Sequence, residues 1–292
     1  MIQPRYPVFV PTKGRANAKA GLTARVLRRF NVPFHLVVEP QEAESYAAYL
    51  GDDRQILVLP FRDLGQGSIP ARNWIKDYAT AQGYVRHWQL DDNIRSFFRR
   101  HRKHRIPCSA GLALRVCEDF TDRYANVAVS GLNYKMFGFG VEAPPFRLNA
   151  HVYSCTLVLN EIPHRWRGRY NEDTDLCLQV LADGWCTLQI NAFLCDKMQT
   201  MTHQGGNTDQ LYQEDGRAHM ARSLERVWPG VVDTRRRFGR PQHVVKAAWQ
   251  KFDNRLIRNP DFVPEPYEIT LRQLGTTRSK TLRRDILGDP SA

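Results

Sequence analysis

The sequence predicts an α/β fold with a mainly parallel sheet flanked by helices, and three observations carry that prediction. Short apolar runs alternate with amphipathic stretches through residues 7–90, and strand-helix-strand alternation is the pattern that winds a parallel sheet. Glycines and prolines fall where the pattern changes, as turns require. One run, Arg86–Leu90, ends in Asp91-Asp92-Asn93, and the ligands of open α/β sheets collect beyond the carboxyl ends of the strands.

The first strand is Pro7–Pro11, followed by the turn Thr12-Lys13-Gly14-Arg15 and a helix over Ala16–Phe30. Such a turn can offer backbone N–H groups and cations to a phosphate. Phe34–Pro40 is a second strand, carrying Glu39 near its end, Glu42–Leu50 a helix, and Ile56–Pro60 a third strand. In Leu64–Ala79 the glycines 65 and 67 allow a tight loop, Ser68 suits a cap, and Pro70 suits the first turn of a helix bearing Arg72 and Asn73. Gly65-x-Gly67 lacks the third glycine of a dinucleotide fingerprint. Arg72 and Asn73 can instead reach a base or a diphosphate.

Beyond the acidic pair, Arg95–Arg105 reads as a basic loop with Phe97 and Phe98 inside it, Gly111–Tyr124 as a helix and Asn126–Gly131 as a strand. Asn133–Pro145 is a long loop rich in Gly, Pro and aromatics, and Val152–Leu159 a strand. Asn171–Trp185 is a helix with Glu172, Asp173 and Asp175 at its start and Gly184 at its stop. The helix dipole alone accounts for carboxylates at that position, so the acidic cluster does not by itself define a site. Cys186–Phe193 is a further strand, Met198–Thr208 a polar loop containing His203, and Tyr212–Val227 a helix ended by Trp228-Pro229-Gly230. The tail carries Arg235-Arg236-Arg237-Phe238-Gly239-Arg240-Pro241, a helix over Val244–Ile257 and the basic run Arg278–Arg284.

A net charge of +12 on 292 residues predicts attraction to polyanions, nucleic acid above all. The six cysteines form no Cys-x-x-Cys pair and several sit in apolar segments, as reduced thiols of a cytoplasmic protein do. No apolar run approaches the length of a membrane span, and the start lacks the apolar core of a signal peptide. The expected compartment is the cytoplasm, that of the host if a phage encodes the chain.

Adjacent carboxylates at a strand end suit a hard divalent cation, magnesium or manganese, that leaves sites for substrate phosphates; a solvated turn is the plain alternative. With Val10-Pro11-Thr12-Lys13-Gly14-Arg15, Val38-Glu39-Pro40, Ala71-Arg72-Asn73, Leu90-Asp91-Asp92-Asn93, Asn171-Glu172-Asp173 and His203 in that order, the chain resembles glycosyltransferases of the GT-A fold. Leu64-Gly65-Gln66-Gly67, Gln89–Asn93, Gly205-Gly206-Asn207 and Arg237-Phe238-Gly239-Arg240-Pro241, with Trp249 and Phe252 beyond, make it more narrowly similar to the TET-associated glycosyltransferases of bacteriophages.

That resemblance implies a GT-A-like sheet with a Rossmann-like nucleotide-binding half. It divides the chain into a core over residues 1–210, made of a nucleotide-sugar half (1–95) and an acceptor half (96–210), and a basic helical extension over 211–292. It further implies that Pro11, Thr12, Lys13, Arg15, Glu39, Gly67, Arg72, Asn73 and Asp91 line the nucleotide sugar, UDP-glucose or a UDP-N-acetylhexosamine. Asp92, Asp91 and His203 are then the candidates for holding the metal. Asn93 departs from the family's Asp-x-Asp motif, which leaves open which carboxylate meets the ion. The implied acceptor is the hydroxyl of a hydroxymethylated base in DNA, 5-hydroxymethylcytosine above all.

Sugar transfer needs positive charge on the leaving diphosphate, for which Arg15, Arg72 and a metal are the candidates. An inverting reaction also needs a carboxylate base, with Asp173 first and Glu172 second, whereas a retaining enzyme would not. Arg99, Arg100, Arg102, Lys103, Arg235, Arg236, Arg237 and Arg240 are the residues expected to grip DNA phosphates, and Phe97, Phe98, Tyr134 or Phe137 to wedge or stack beside a flipped base. A sugar transferase for proteins or small molecules, a non-catalytic nucleic-acid-binding module and a nucleotidyltransferase are the competing readings.

Overall fold

Val8, Phe9 and Val10 are buried on both faces of the sheet, which makes β1 (Val8–Pro11) a central strand. In the computed structural model, which describes residues 2–17, 21–51, 53–101, 104–137, 144–168, 170–198, 216–237, 239–245 and 251–265, β1 pairs in parallel with β2 (His35–Val38) and β4 (Arg86–Leu90). β3 (Ile56–Val58) adds to β2, also in parallel. The crossovers are α1 (Leu22–Arg29), α2 (Ala43–Leu50), closed by Gly51 at φ 68°, and α3 (Ile69–Ala81), opened by Pro70.

Past β4 the sheet becomes mixed. Its order is β3-β2-β1-β4-β9-β7-β10-β5-β6, with β8 (Phe146–Leu148) also on β10. Here β5 is Ile94–His101, β6 His104–Cys108, β7 Val127–Tyr134, β9 Cys155–Leu159 and β10 Cys186–Lys197. β9 runs antiparallel to both β4 and β7, β7 and β10 are parallel, and β5 is antiparallel to β10. The carboxyl ends of β1, β2, β4, β7 and β10 therefore share one edge with the amino ends of β9 and β5, and the site lies along that edge. α4 (Ala110–Thr121), capped by Ser109 Oγ accepting from Leu112 N at 3.3 Å, and α5 (Glu172–Ala182) cover the second half.

Three stretches differ from the sequence-based expectation. Arg95–Arg105 is no loop: it forms the β5–β6 hairpin, in which Phe97 and Phe98 are 1% and 7% exposed and fill core instead of meeting DNA. Arg235–Pro241 forms a second basic hairpin, β11 (Asp233–Arg237) and β12 (Arg240–Val244), with Arg237 paired to Arg240 at its turn. Residues 252–257 carry no helix; this segment runs back along the core, where Ala125 N donates to Ile257 O and Asn254 Nδ2 to Leu181 O and Trp185 O. Before β11 lies α6 (Gly216–Val227), whose Leu224 packs with Leu178, Val231, Val232 and Val245. His203, Arg102, Lys103, Gly205-Gly206-Asn207, Phe238, Trp249 and Arg278–Arg284 lie outside the described residues. Among the described residues no helix is long and apolar enough to cross a membrane, and the six cysteines are buried thiols.

Gly131 on β7 lies opposite Thr156 on β9, and a Cβ there would overlap the Cys155 carbonyl and the Val152 side chain. Backbone cannot swing aside as a side chain can, so Gly131→Ala should destabilise the protein by about 2 kcal/mol or more, read as a lower denaturation midpoint in guanidinium.

Candidate active site

The turn after β1 is stapled to α2. Tyr46 OH bonds Thr12 Oγ1 at 2.8 Å and accepts from Arg15 N at 2.9 Å, while Glu42 Oε1 accepts from Gly14 N at 2.6 Å. Thr12 Oγ1 then donates to Asp92 Oδ2 at 2.7 Å, and the Arg15 guanidinium pairs with Asp92 Oδ1. Both oxygens of Asp92 are thus engaged and the residue is 8% exposed. In this way Asp92 brackets the β1 turn to the end of β4. At the rim, Lys13 Nζ bridges Glu39 at 2.8 Å and Asp63 at 2.7 Å.

Asp91 faces the opposite way. Its Oδ1 accepts from Arg72 at 2.8 Å, and its Oδ2 from Ser154 Oγ and Lys197 Nζ, each at 2.7 Å. Burial alone would raise the Asp91 pKa, but the Lys197 ammonium and Arg72 guanidinium outweigh it and hold the carboxyl far below its usual range. Arg72 is 3% exposed, and Asp173, Asp91 and Glu172 together overcome the burial that would otherwise favour its neutral form. Its Nε lies 3.8 Å from Glu172 Oε1 and its Nη2 3.7 Å from Asp173 Oδ2.

α5 brings the second carboxylate pair to this cation. Asp173 Oδ1 accepts from Trp166 Nε1 at 3.0 Å and its Oδ2 from Ser154 N at 3.4 Å, which turns it toward the β9 side. Glu172 Oε1 accepts from Ser68 Oγ at 3.1 Å, on the α3 side. Burial, reinforced by Asp173, raises the Glu172 pKa above its ordinary value. Asp175 is structural, as the helix-dipole argument allows: Arg167 and Trp228 Nε1 bind it at 2.8 and 2.7 Å.

These groups line one cavity of about 500 Å³. One end holds Pro11, Thr12, Lys13, Val37, Glu39 and Gly67; the centre holds Arg15, Arg72, Asp91, Asn93, Glu172 and Asp173. The other end holds Tyr134, Phe137, His151 and Tyr153, with Met220 of α6 and His243 of β12, and Lys197 stands between Tyr134 and Asp91. Asn73 is not part of it: its amide exchanges hydrogen bonds with Trp166 O and N at 2.8 and 3.1 Å, tying α3 to the chain before α5. Arg235 and Arg236 are exposed on the hairpin that carries His243, and Arg99 and Arg100 sit on the hairpin that begins directly after Asn93. Lys197, Ser154 and Trp166 escaped the sequence reading, because a single Lys, Ser or Trp at an element boundary carries no spacing signal.

Among the described residues no group of three or more His, Cys, Asp or Glu side chains is arranged to hold a metal ion by itself. A magnesium-like ion needs fewer protein ligands, since it is commonly held by one or two carboxylates plus substrate phosphates. Asn93 Oδ1 is a hard oxygen on a residue 8% exposed with no hydrogen-bond partner, next in the cavity to an Asp91 that stays ionised. Both carboxylates of the pair are engaged, Asp91 by Arg72, Ser154 and Lys197 and Asp92 by Thr12 and Arg15, so Asn93 Oδ1 is the unpaired buried oxygen at this strand end, and an ion bound beside it would share a carboxylate with the cations that now hold it.

The family model for the TET-associated glycosyltransferases matches residues 6–206, more than half of the chain and all of the sheet core. No curated protein matches significantly. Among solved structures, the mannose-1-phosphate geranyltransferase from Thermus thermophilus aligns at 12% identity over 87% of this chain and 69% of that one, with a TM-score of 0.30, too loose a superposition to bear on activity.

Because Lys197 and Arg72 both hold Asp91 ionised, Lys197→Met should raise the Asp91 carboxyl pKa toward the ordinary value of about 3.9. Carbon-detected NMR titration reads this directly, and an unmoved value would assign the effect to Arg72 alone. The sign for stability follows. A depressed Asp91 stabilises the fold above its unfolded pKa and loses that contribution as pH falls through the folded one, so the variant should lose part of its stability at neutral pH and denature at less acidic pH than the parent.

Proposed function

The chain belongs to the TET-associated glycosyltransferase family, and from that premise we propose that it moves a sugar from a UDP-sugar to the hydroxyl of a hydroxymethylated base in DNA, 5-hydroxymethylcytosine above all. The observation that carries the reading is the continuity of one cavity. It runs from an apolar and acidic end over β1 and β2, across the Asp91-Arg72-Asp173 cluster, to an aromatic end that also takes His243 from the basic β11–β12 hairpin.

At the first end, Pro11, Val37 and Leu59 offer an apolar face to a planar nucleobase, and Glu39 an acceptor for its N–H groups or for ribose hydroxyls. Arg15, Arg72 and Lys197 lie where a diphosphate would develop charge as it leaves, and fixed cations in a shielded site stabilise that charge without reorganising. A bound magnesium or manganese ion beside Asp91 and Asn93 would add Lewis-acid stabilisation of the same leaving group.

Asp173 is the base of the reaction. Its Oδ2 accepts from Ser154 N just before β9, so that oxygen faces an acceptor arriving from the β7–β9 end. Glu172 lies toward Ser68 and the donor, and burial beside Asp173 raises its pKa above the ordinary carboxylate value. Arg72 keeps both carboxylates together with Asp91, which they could not share unpaired. The exposed Arg235 and Arg236 on one hairpin, and the basic β5–β6 hairpin on the other side, supply the surface for a phosphate backbone.

The test is nucleoside mass spectrometry after incubation with manganese or magnesium, a panel of UDP-sugars, and duplex DNA with or without 5-hydroxymethylcytosine. A hexose or N-acetylhexosamine gain on the modified base alone is expected. Asp173→Asn should reduce the rate roughly 10²- to 10⁴-fold, the usual weight of a general base, while UDP affinity persists. Transfer to a protein hydroxyl and none to DNA would overturn the acceptor assignment.

A further inference from the structure

We propose that the aromatic wall at the β7–β9 end of the cavity is the acceptor subsite, and that it receives a single unpaired nucleobase by stacking. This rests on the reading of DNA as the acceptor. Four rings form a continuous ladder: Phe137 and Tyr134 at 5.8 Å and 30°, Tyr134 and Tyr153 at 4.4 Å and 62°, Tyr153 and His151 at 4.8 Å and 24°. All four line the cavity. Core packing accounts for the inner side of Tyr134, which rests on the main hydrophobic cluster. It does not account for Phe137, which is 57% exposed at the end of the ladder and bordered by Met136, itself 43% exposed. A row of rings ending in an open one offers what a base needs, since every base has a π-face and stacks without regard to sequence.

The ladder is also wired to the chemistry. Tyr134 OH and Ser154 Oγ are hydrogen-bonded, Ser154 Oγ donates to Asp91, and Ser154 N lies 3.4 Å from Asp173 Oδ2. Tyr153 is the residue before Ser154 in the chain, so a base held on the wall sits beside the carboxylate that must accept its hydroxyl proton. The cavity's 500 Å³ must also house the donor, which excludes a duplex and leaves room for one nucleotide turned out of the helix.

A second cavity of about 400 Å³ adjoins the first through Tyr134 and Lys197, and is lined by Arg95, Lys135, Met136, Asp196 and Met198. Arg95 and Lys135 share Asp196 at 2.9 and 3.1 Å. Two cations on one carboxylate leave a net positive ledge, placed where the phosphates flanking a base on Phe137 would run.

The experiment is steady-state transfer to a single-stranded oligonucleotide carrying one 5-hydroxymethylcytosine, with UDP affinity measured by calorimetry for each protein. Phe137→Ala and Tyr153→Leu should each raise KM for the oligonucleotide roughly five- to hundredfold, the range of base–aromatic stacking, with UDP affinity within about twofold of the parent. Phe137→Trp should restore the low KM. If the parent transfers sugar and neither variant changes KM, the subsite is wrong and the function stands. If the parent transfers nothing to the oligonucleotide or to duplex, the DNA reading falls and the subsite with it. Phe137 is exposed, so its two variants decide the matter even if Tyr153→Leu loses UDP binding through misfolding.

Discussion

A guanidinium buried among three carboxylates holds this site together. Arg72 comes from the first turns of α3, and α3 is tied to the sheet by a chain of neutral side chains that runs from Asn160, just past β9, through His87 and Gln89 of β4. Asn160 Oδ1 meets His87 Nδ1 at 2.5 Å, His87 Nε2 meets Gln89 Nε2 at 2.9 Å, and Gln89 Nε2 donates to Arg72 O at 2.9 Å. Burial lowers the His87 pKa to about 4, so at neutral pH the imidazole carries no charge and can donate on one side while accepting on the other. The strand that ends in Asp91 thus also anchors the helix that neutralises Asp91. Without Arg72, Asp91, Glu172 and Asp173 would be like charges in a shielded cavity, an arrangement that proteins avoid by protonation or by unfolding.

The same cluster separates carboxylates that are alike in sequence. Asp91 lies between Arg72 and Lys197 and remains an anion, whereas Glu172, buried beside Asp173, leans toward its neutral form. Asp92 braces the β1 turn, and Asp175 braces the helix against Arg167 and Trp228. Five acidic residues on two short segments therefore differ in setting, and their partners decide how. The division follows the sheet: the parallel half presents the β1 turn, β7 and β10, which run the same way, present Tyr134 and Lys197 near their carboxyl ends, and the reversed β9 begins just after Ser154.

Much of the first half was legible because it obeys simple periodicities. The buried runs of β1, β2 and β4, the Gly-Pro signals before α3 and the acidic strand end all announce themselves within a window of ten residues or so. The acidic start of α5 was visible too, although only its contacts separate Asp173 from Asp175. The β5–β6 hairpin misled because its charge dominates its composition, while Phe97 and Phe98, two apolar rings side by side, do not show which face is buried. Lys197 was invisible: it meets Asp91 across 106 residues of chain by way of a sheet register, and nothing local marks it. His151 and His243 reach the cavity the same way, one from the chain before β9 and the other from the second hairpin.

We propose that Asp173 accepts the proton while the diphosphate leaves across Arg72, a direct displacement at the anomeric carbon. Proton NMR of the sugar newly attached to the base, taken before any exchange, reads the anomeric configuration from its coupling constant. An α-linked donor should give a β-linked product. An α-linked product would mean retention, and would contradict the assignment of Asp173 as base.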